Sequence, residues 1–389
     1  MMNNIPEIKD IDTAMLTDLV RRVLDSPTAE ISHWEHHPVR YIKTEESNLG
    51  LHRFTGTAQI SSEACPWSIV LKAVHAPLNE ADPTAWNYHR REILAYKAGL
   101  LTNLPGLRAP RCLGVLEYPK DVCWLWLEDI QDAENRNWSL AEYGAAARHL
   151  GRFNGAYAVG HPIPDLPWLS QNWVRGWLNF YDAGCHETLA LVRDEGFWGH
   201  PLLRVAFPRP IVEAALKLWA SHEQLLVTLD QLPRTFCHMD AYRPNLFIRR
   251  NEQDHDEIVA IDWVFVGHGG LGEEIANLLA ASLIWLEYHA SDAKNLDDAI
   301  FAGYLSGLRE AGWQGDARLP RLGYTAACAL RWGVVGLWWL PSLNKAEKQA
   351  EFEEHWNRSM PELVQQWAST TYYVLGLAEE AYQLQRALF

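Results

Sequence analysis

The sequence predicts an α+β protein in two parts: a strand-rich first third with one helix, and a larger, mostly helical remainder. Two patterns predict this. Between residues 39 and 127, short apolar runs with strand character alternate with polar turns, whereas from residue 139 onward apolar residues recur at helical spacing over long stretches. A third observation concerns chemistry. Residues 236–272, FCHMDAYRPNLFIRRNEQDHDEIVAIDWVFVGHGGLG, place two acids and an amide where packing has no use for them.

Bulk properties narrow the class. A chain of 389 residues, 48% hydrophobic and 21% charged, can bury a large core and reads as a soluble globular protein. The start MMNNIPEIKDIDTAML lacks a basic segment followed by an apolar one, so no signal peptide is expected. No apolar run approaches the roughly 18 residues of a membrane span. The six cysteines are scattered without a C-x-x-C pair, which suggests reduced thiols in a cytoplasmic protein and no zinc ribbon. A net charge of -15 argues against a nucleic-acid partner, because phosphate binding needs clustered Lys and Arg. It is compatible with a cationic acceptor.

In order, residues 10–24 read as an amphipathic helix through Leu16, Leu19, Val20, Val23 and Leu24. The HWEHHP cluster with His33, His36 and His37 lacks partners at ligand spacing and reads as a surface loop. Strands are expected over 39–43, 50–60, 67–74, 111–117 and 122–127, and a helix over 86–100. Lys72 is the only charge in the apolar strand IVLKAV, so it either reaches solvent or meets an anion. Glu92, in the helix that follows, is a candidate partner for it.

Beyond residue 130 the signal is helical. Residues 139–157 open with Ser139 and Glu142 in capping-box spacing. About 80 Trp-rich residues then lead to Asp240. Helices are also expected over 273–289, 296–310, 317–340 and 345–389. The expected lobes are residues 1–130 and 131–389, with a substrate-side helical insertion over 158–235.

The chemistry-bearing stretch folds as a hairpin: 246–249 and 257–261 read as strands joined by the polar loop 250–256. Closing it sets Asn245 across from Asp262, with Asp240 one loop away. Asp262 interrupts the apolar run IVAIDWVFV, and a buried carboxylate there needs a cation, a donor or a ligand. Two carboxylates and an amide oxygen make a hard-oxygen site suited to magnesium, which takes one or two protein carboxylates plus substrate phosphates. GHGGLG at 267–272 reads literally as G-x-G-x-x-G, yet the helical pattern that follows lacks the second strand of a dinucleotide fold.

His238-x-Asp240-x4-Asn245 followed by Ile261-Asp262-Trp263 resembles the catalytic and metal loops of the aminoglycoside phosphotransferase and choline kinase family, relatives of protein kinases. The resemblance implies a bilobal kinase-like fold with a five-stranded antiparallel small-lobe sheet, and ATP with Mg2+ as cofactors. Asp240 would orient and deprotonate an acceptor hydroxyl, Asn245 and Asp262 would hold magnesium, and His238 would brace the loop. Lys72 would contact the α- and β-phosphates, held by Glu92 on a helix resembling the small lobe's regulatory helix. The turn TEESNLG at 44–50, with the Ser47 hydroxyl, resembles the nucleotide loop. LWLEDI resembles the hinge L-x-x-E-D-[LI], where main chain at Glu128, Asp129 and Ile130 would meet adenine.

The helical insertion and the lack of A-P-E disfavour a protein substrate, and the resemblance implies that the glycines at 267–272 make a short flexible link in place of a protein kinase's long activation segment. The expected acceptor is a small molecule, cationic or sugar-like: an aminoglycoside, amino sugar, sugar or amino alcohol. The alternative is a non-catalytic nucleotide-binding protein of kinase ancestry. Where the family shows G-D-x3-D-L-A, this chain has Gly272-Glu273-x3-Asn277-Leu278-Leu279; Glu273 keeps the charge, and Asn277 is expected to be a scaffold contact. Asp182, Glu187, Glu274 and Glu287 are candidates for binding substrate amines.

Overall fold

A five-stranded antiparallel sheet in the order β1-β2-β3-β5-β4 forms the first part of the computed structural model, which describes residues 7–39, 48–75, 82–131, 137–207, 209–250 and 256–389. The strands are β1 (Glu30–Pro38), β2 (Asn48–Ile60), β3 (Glu63–Val74), β4 (Cys112–Tyr118) and β5 (Val122–Glu128). Helix α1 (Thr13–Val23) starts where Asp12 accepts a 2.9 Å bond from the Met15 N–H. It buries Leu16, Leu19 and Val20 against Phe54, Ile69, Leu71, Trp124 and Trp126 on one face of the sheet. Alternation along β3 sends Ile69, Leu71 and Ala73 to that face and Lys72 to the other. The second face packs Cys123, Leu125 and Leu127 against Ile93 of α2 (Arg91–Lys97).

Two expectations change here, and a third falls outside the described residues. HWEHHP is no loop: it is β1, an edge strand paired with β2. Both its faces are largely exposed, so the alternation that marks a strand is missing from its sequence. All of the 39–43 strand but Val39, and most of the 44–50 turn, Ser47 included, lie outside the described residues. The 86–100 helix shrinks to α2 because the Arg91 guanidinium binds the carbonyls of Ala85 and Trp86, which fixes the preceding chain as turns.

The remainder is helical around two hairpin-like strand pairs. It contains α3 (Leu140–Ala158), α4 (Trp173–Arg193), α5 (Pro201–Ala206) and α6 (Arg209–Gln231), then β6 (Arg234–Cys237), β7 (Leu246–Arg250), β8 (Asp256–Ala260) and β9 (Gly267–Gly270). Five helices follow: α7 (Ala276–Ile284), α8 (Ala293–Glu310), α9 (Arg318–Trp332), α10 (Ala346–Trp356) and α11 (Met360–Leu388). Helices α3 and α8 meet through glycines; a Cβ on Gly307 would sit 1.9 Å from the Arg148 carbonyl oxygen, so no larger residue fits. One core gathers α3, α7 and α8 with both strand pairs, and a second gathers α4, α6, α9 and α11. No described helix is long and apolar enough to cross a membrane.

The glycines at 267–270, read as a flexible link, form the buried strand β9, antiparallel to β6. A Cβ on Gly267 would stand 2.1 Å from the Ser170 carbonyl oxygen. Close backbone approach therefore explains these glycines, and with β9 antiparallel to β6 they carry no dinucleotide turn. The 317–340 helix ends at Trp332 and continues in 3-10 turns, and the 345–389 helix divides at Asn357, whose φ of 49° reverses the chain before the Ser359–Glu362 capping box restarts it.

Candidate functional site

Lys72 leaves β3 on the face opposite α1, and its Nζ lies 2.7 Å from Glu92 Oε2 and 2.6 Å from Asp262 Oδ1. Burial works against its charge, but Asp262 and Glu92 prevail and hold its pKa above the ordinary lysine value. The other oxygen of Glu92 accepts the Trp263 backbone N–H at 3.1 Å, so one carboxylate ties α2 to both the lysine and the Asp262 loop. Arg91, which the sequence reading passed over, fastens α2 from the other side. It is fully buried and donates to the carbonyls of Ala85, Trp86, Trp168 and Val264.

The 238–245 loop follows β6 and closes onto the β7–β8 hairpin, where the Ile261 N–H donates to the Asn245 carbonyl at 2.9 Å. His238 joins the two loops: its Nε2 donates to the Ile261 carbonyl at 2.8 Å while its Nδ1 accepts the Asp240 N–H at 3.1 Å. It braces the loop as expected. Met239 and Asp262 both adopt left-handed backbone, with φ of 67° and 64°, an arrangement that non-glycine residues hold only where surrounding contacts enforce it.

Asp240 is half-buried among three donor side chains. Asn245 Nδ2 reaches its Oδ2 at 2.9 Å and its carbonyl at 3.1 Å; Asn277 Nδ2 and Arg331 Nη2 reach its Oδ1 at 3.0 and 2.8 Å. Burial raises the Asp240 pKa, and the Arg331 charge opposes that rise. Burial lowers the pKa of Arg331 in turn, with Asp240 opposing it. Asn277 is thus a direct partner of Asp240, held in orientation by the Trp332 Nε1–H at 3.1 Å. A scaffold contact was expected there; the structure places it on the carboxylate.

Glu274, not Glu273, reaches the loop. Its two oxygens accept the His238 and Met239 N–H groups at 2.7 and 3.0 Å, which commits this carboxylate to backbone and removes it from the substrate-amine candidates. Glu273 accepts the Gly270 N–H at 2.5 Å, and burial pushes its pKa up to about 7. Glu287 lies partly buried near Arg243 with its pKa likewise pushed to about 7 by burial. Asp182 sits on α4 with His186 3.5 Å away.

At the junction of the two parts, the Glu128 carboxylate pairs with Arg108 and accepts the Arg111 N–H at 3.1 Å. Asp129 accepts Arg53 Nε at 2.8 Å and the Ser68 hydroxyl at 2.5 Å, and Ile130 is buried. The side chains of Glu128 and Asp129 are therefore engaged in holding the segment. Asn245 spends its amide nitrogen on Asp240, and Asp262 spends one oxygen on Lys72. The Asn245 amide oxygen and Asp262 Oδ2, which make no hydrogen bond among the described residues, are hard donors of the kind magnesium takes.

No family model matches the chain, and no curated protein matches it. Solved structures do. Choline kinase from Cryptosporidium parvum Iowa II superposes with a TM-score of 0.51 at 12% identity, covering 97% of this chain and 98% of that one. The amicoumacin kinase hAmiN, solved with AMP-PNP, Ca2+ and Ami, superposes with a TM-score of 0.50 at 14% identity, covering 86% of this chain and 90% of that one. At such identities the likeness shows the fold alone, and that fold is the α+β, two-lobed, protein-kinase-like fold of these small-molecule kinases.

Proposed function

We propose that the chain is a small-molecule kinase that moves the γ-phosphoryl group of Mg-ATP to a hydroxyl of a small polar acceptor: an aminoglycoside, amino sugar, sugar or amino alcohol. The observation that supports it best is the convergence of Lys72, clamped by Glu92, with Asp262, Asn245 and Asp240. Phosphoryl transfer asks the protein chiefly for positioning and charge stabilisation, and this set supplies both.

In this reading the ammonium of Lys72 faces the α- and β-phosphates and Glu92 keeps it aimed. Main chain at Glu128 to Ile130 receives the adenine, and the Ser47 hydroxyl would bind phosphate. Asn245 and Asp262 would hold magnesium, whose charge would neutralise that developing on the phosphate oxygens. Asp240 orients the acceptor hydroxyl and takes its proton as the new O–P bond forms and the bond to the ADP oxygen breaks. Residues 1–130 are proposed as the nucleotide lobe and 131–389 as the acceptor lobe. The choline kinase and the amicoumacin kinase suggest the acceptor class by name only, and no protein substrate is proposed.

The test is ADP release from Mg-ATP across a panel of those acceptors, with Asp240→Ala as control. Acceptor-dependent release is expected, reduced at least about a hundredfold in the variant with Mg-ATP affinity retained. Equal release by wild type and variant would refute the role of Asp240.

A further inference from the structure

Arg331, next to the end of α9, is a lone cation in the apolar segment ACALRWGVVG, and it is 6% exposed. Its fork holds two points of the catalytic loop: Nη1 donates to the Met239 carbonyl at 2.9 Å and Nη2 to Asp240 Oδ1 at 2.8 Å. Around the guanidinium stand three indoles, with ring centres 4.2 Å away for Trp173, 5.3 Å for Trp177 and 5.7 Å for Trp332. Trp173 and Trp177 stack on each other one helical turn apart on α4, and Trp332 is the last residue of α9. Nε is buried without a hydrogen-bond partner. An unpaired buried N–H is costly, so the site keeps this arginine despite incomplete satisfaction.

Three indoles around one cation, beside a carboxylate, form the arrangement that aromatic cages use to bind quaternary ammonium groups. Here the protein's own side chain fills it. We propose that Arg331 is a positioning residue acting as a built-in cation: it fixes the Asp240 carboxylate through Oδ1, presents Oδ2 to the acceptor hydroxyl, and occupies the Trp173–Trp177–Trp332 cage in place of a substrate ammonium. The inference rests on the assignment of Asp240 as the residue that receives the hydroxyl. It deepens that reading by class: the group of the acceptor that approaches Asp240 is a neutral hydroxyl-bearing one, with any amine held elsewhere. Asn277 completes the clamp on the same oxygen, so the carboxylate has one rotamer rather than several.

Two variants and one small-molecule probe test this. Arg331→Ala should lower kcat about a hundredfold, the scale of a displaced catalytic group, with KM for ATP unchanged. Added guanidinium at millimolar concentration should restore turnover saturably. The emptied cage should also bind tetramethylammonium, read as tryptophan fluorescence quenching that wild type does not show. Arg331→Lys keeps the charge and most of the volume but cannot make both fork bonds, so it should lose kcat without responding to guanidinium.

Normal kcat in either variant would overturn the proposal, as would a loss in Arg331→Ala that guanidinium leaves untouched in protein that is folded by circular dichroism. If Arg331→Ala does not fold, the kcat of Arg331→Lys decides. If wild type phosphorylates none of the acceptors, the function assignment fails separately. The cage is then judged by probe binding alone: tetramethylammonium binding to Arg331→Ala and not to wild type supports the built-in cation, and equal behaviour of the two proteins overturns it.

Discussion

Removing the Glu274 carboxylate should unfasten the 238–245 loop before it disturbs anything else. Its two oxygens accept the N–H groups of His238 and Met239 at 2.7 and 3.0 Å, and all three groups are buried. In Glu274→Ala both donors lose their partner where water does not reach them, at about 1–3 kcal/mol each, or about 2–6 kcal/mol together. Met239 adds to this, because its left-handed backbone, with φ at 67°, is held by that same bond. Glu274→Gln discriminates further: an amide offers one acceptor oxygen, and its NH2 must face the other N–H, so about half the loss is expected. Urea unfolding followed by tryptophan emission should rank wild type above Glu274→Gln above Glu274→Ala. Mg-ATP affinity measured under folding conditions should fall less than turnover, since Lys72 and Glu92 do not touch this carboxylate. A midpoint for Glu274→Ala equal to that of wild type would refute the claim that this residue holds the loop.

Two further outcomes follow from buried charges. Burial raises the Glu273 pKa from 4.5 to about 7, so the folded state binds this proton more tightly than the unfolded chain does. Its contribution to stability is therefore complete below about pH 4.5 and is lost as pH rises through about 7, a change of about 3 kcal/mol at 1.36 kcal/mol per unit. Glu273→Gln keeps an acceptor for the Gly270 N–H and should remove that slope; unfolding midpoints measured from pH 5 to 7.5 that decline equally in both proteins would exclude it. Arg91→Met strips the donors from four carbonyls around a fully buried side chain and should cost about 3–5 kcal/mol as a broken buried polar network. Because α2 carries Glu92, calorimetry should also show weaker Mg-ATP binding, and unchanged affinity would separate Arg91 from the nucleotide site.

The sequence made visible those residues whose chemistry contradicts their surroundings. Lys72 in IVLKAV and Asp262 in IVAIDWVFV are charges in apolar runs, and the structure joins them directly. The same signal was present twice more and was read less well. Arg331 in ACALRWGVVG is equally isolated and Glu274 in GLGEEIANLL is one of an acidic pair, but helical segments tolerate charges on their outer face, and only tertiary packing shows that these two point inward. Arg91 was hidden differently, behind Arg90, since two adjacent arginines on a short helix look like a solvated face. The β1 strand was illegible because an edge exposed on both sides has no alternation to display. The β9 glycines misled for a related reason: glycine marks either freedom or close approach, and the Ser170 backbone 2.1 Å from a would-be Cβ decides for the latter.

The two strained residues explain why so many acids surround one site. Met239 and Asp262 sit in left-handed backbone on facing loops, and each loop is held by a carboxylate from another element accepting a main-chain N–H. Glu274, preceding α7, takes the Met239 N–H, while Glu92 of α2 takes the Trp263 N–H next to Asp262. His238 then couples the loops to each other through the Ile261 carbonyl and the Asp240 N–H. Glu92 is the more consequential of the two acids, because its second oxygen also holds Lys72. Any displacement of α2 must therefore release Lys72 and the Asp262 loop together. Under the proposed function, the joint between the sheet and the helical part would then be all-or-none in its effect on nucleotide binding, whereas Glu274 and Arg331 hold the Asp240 loop.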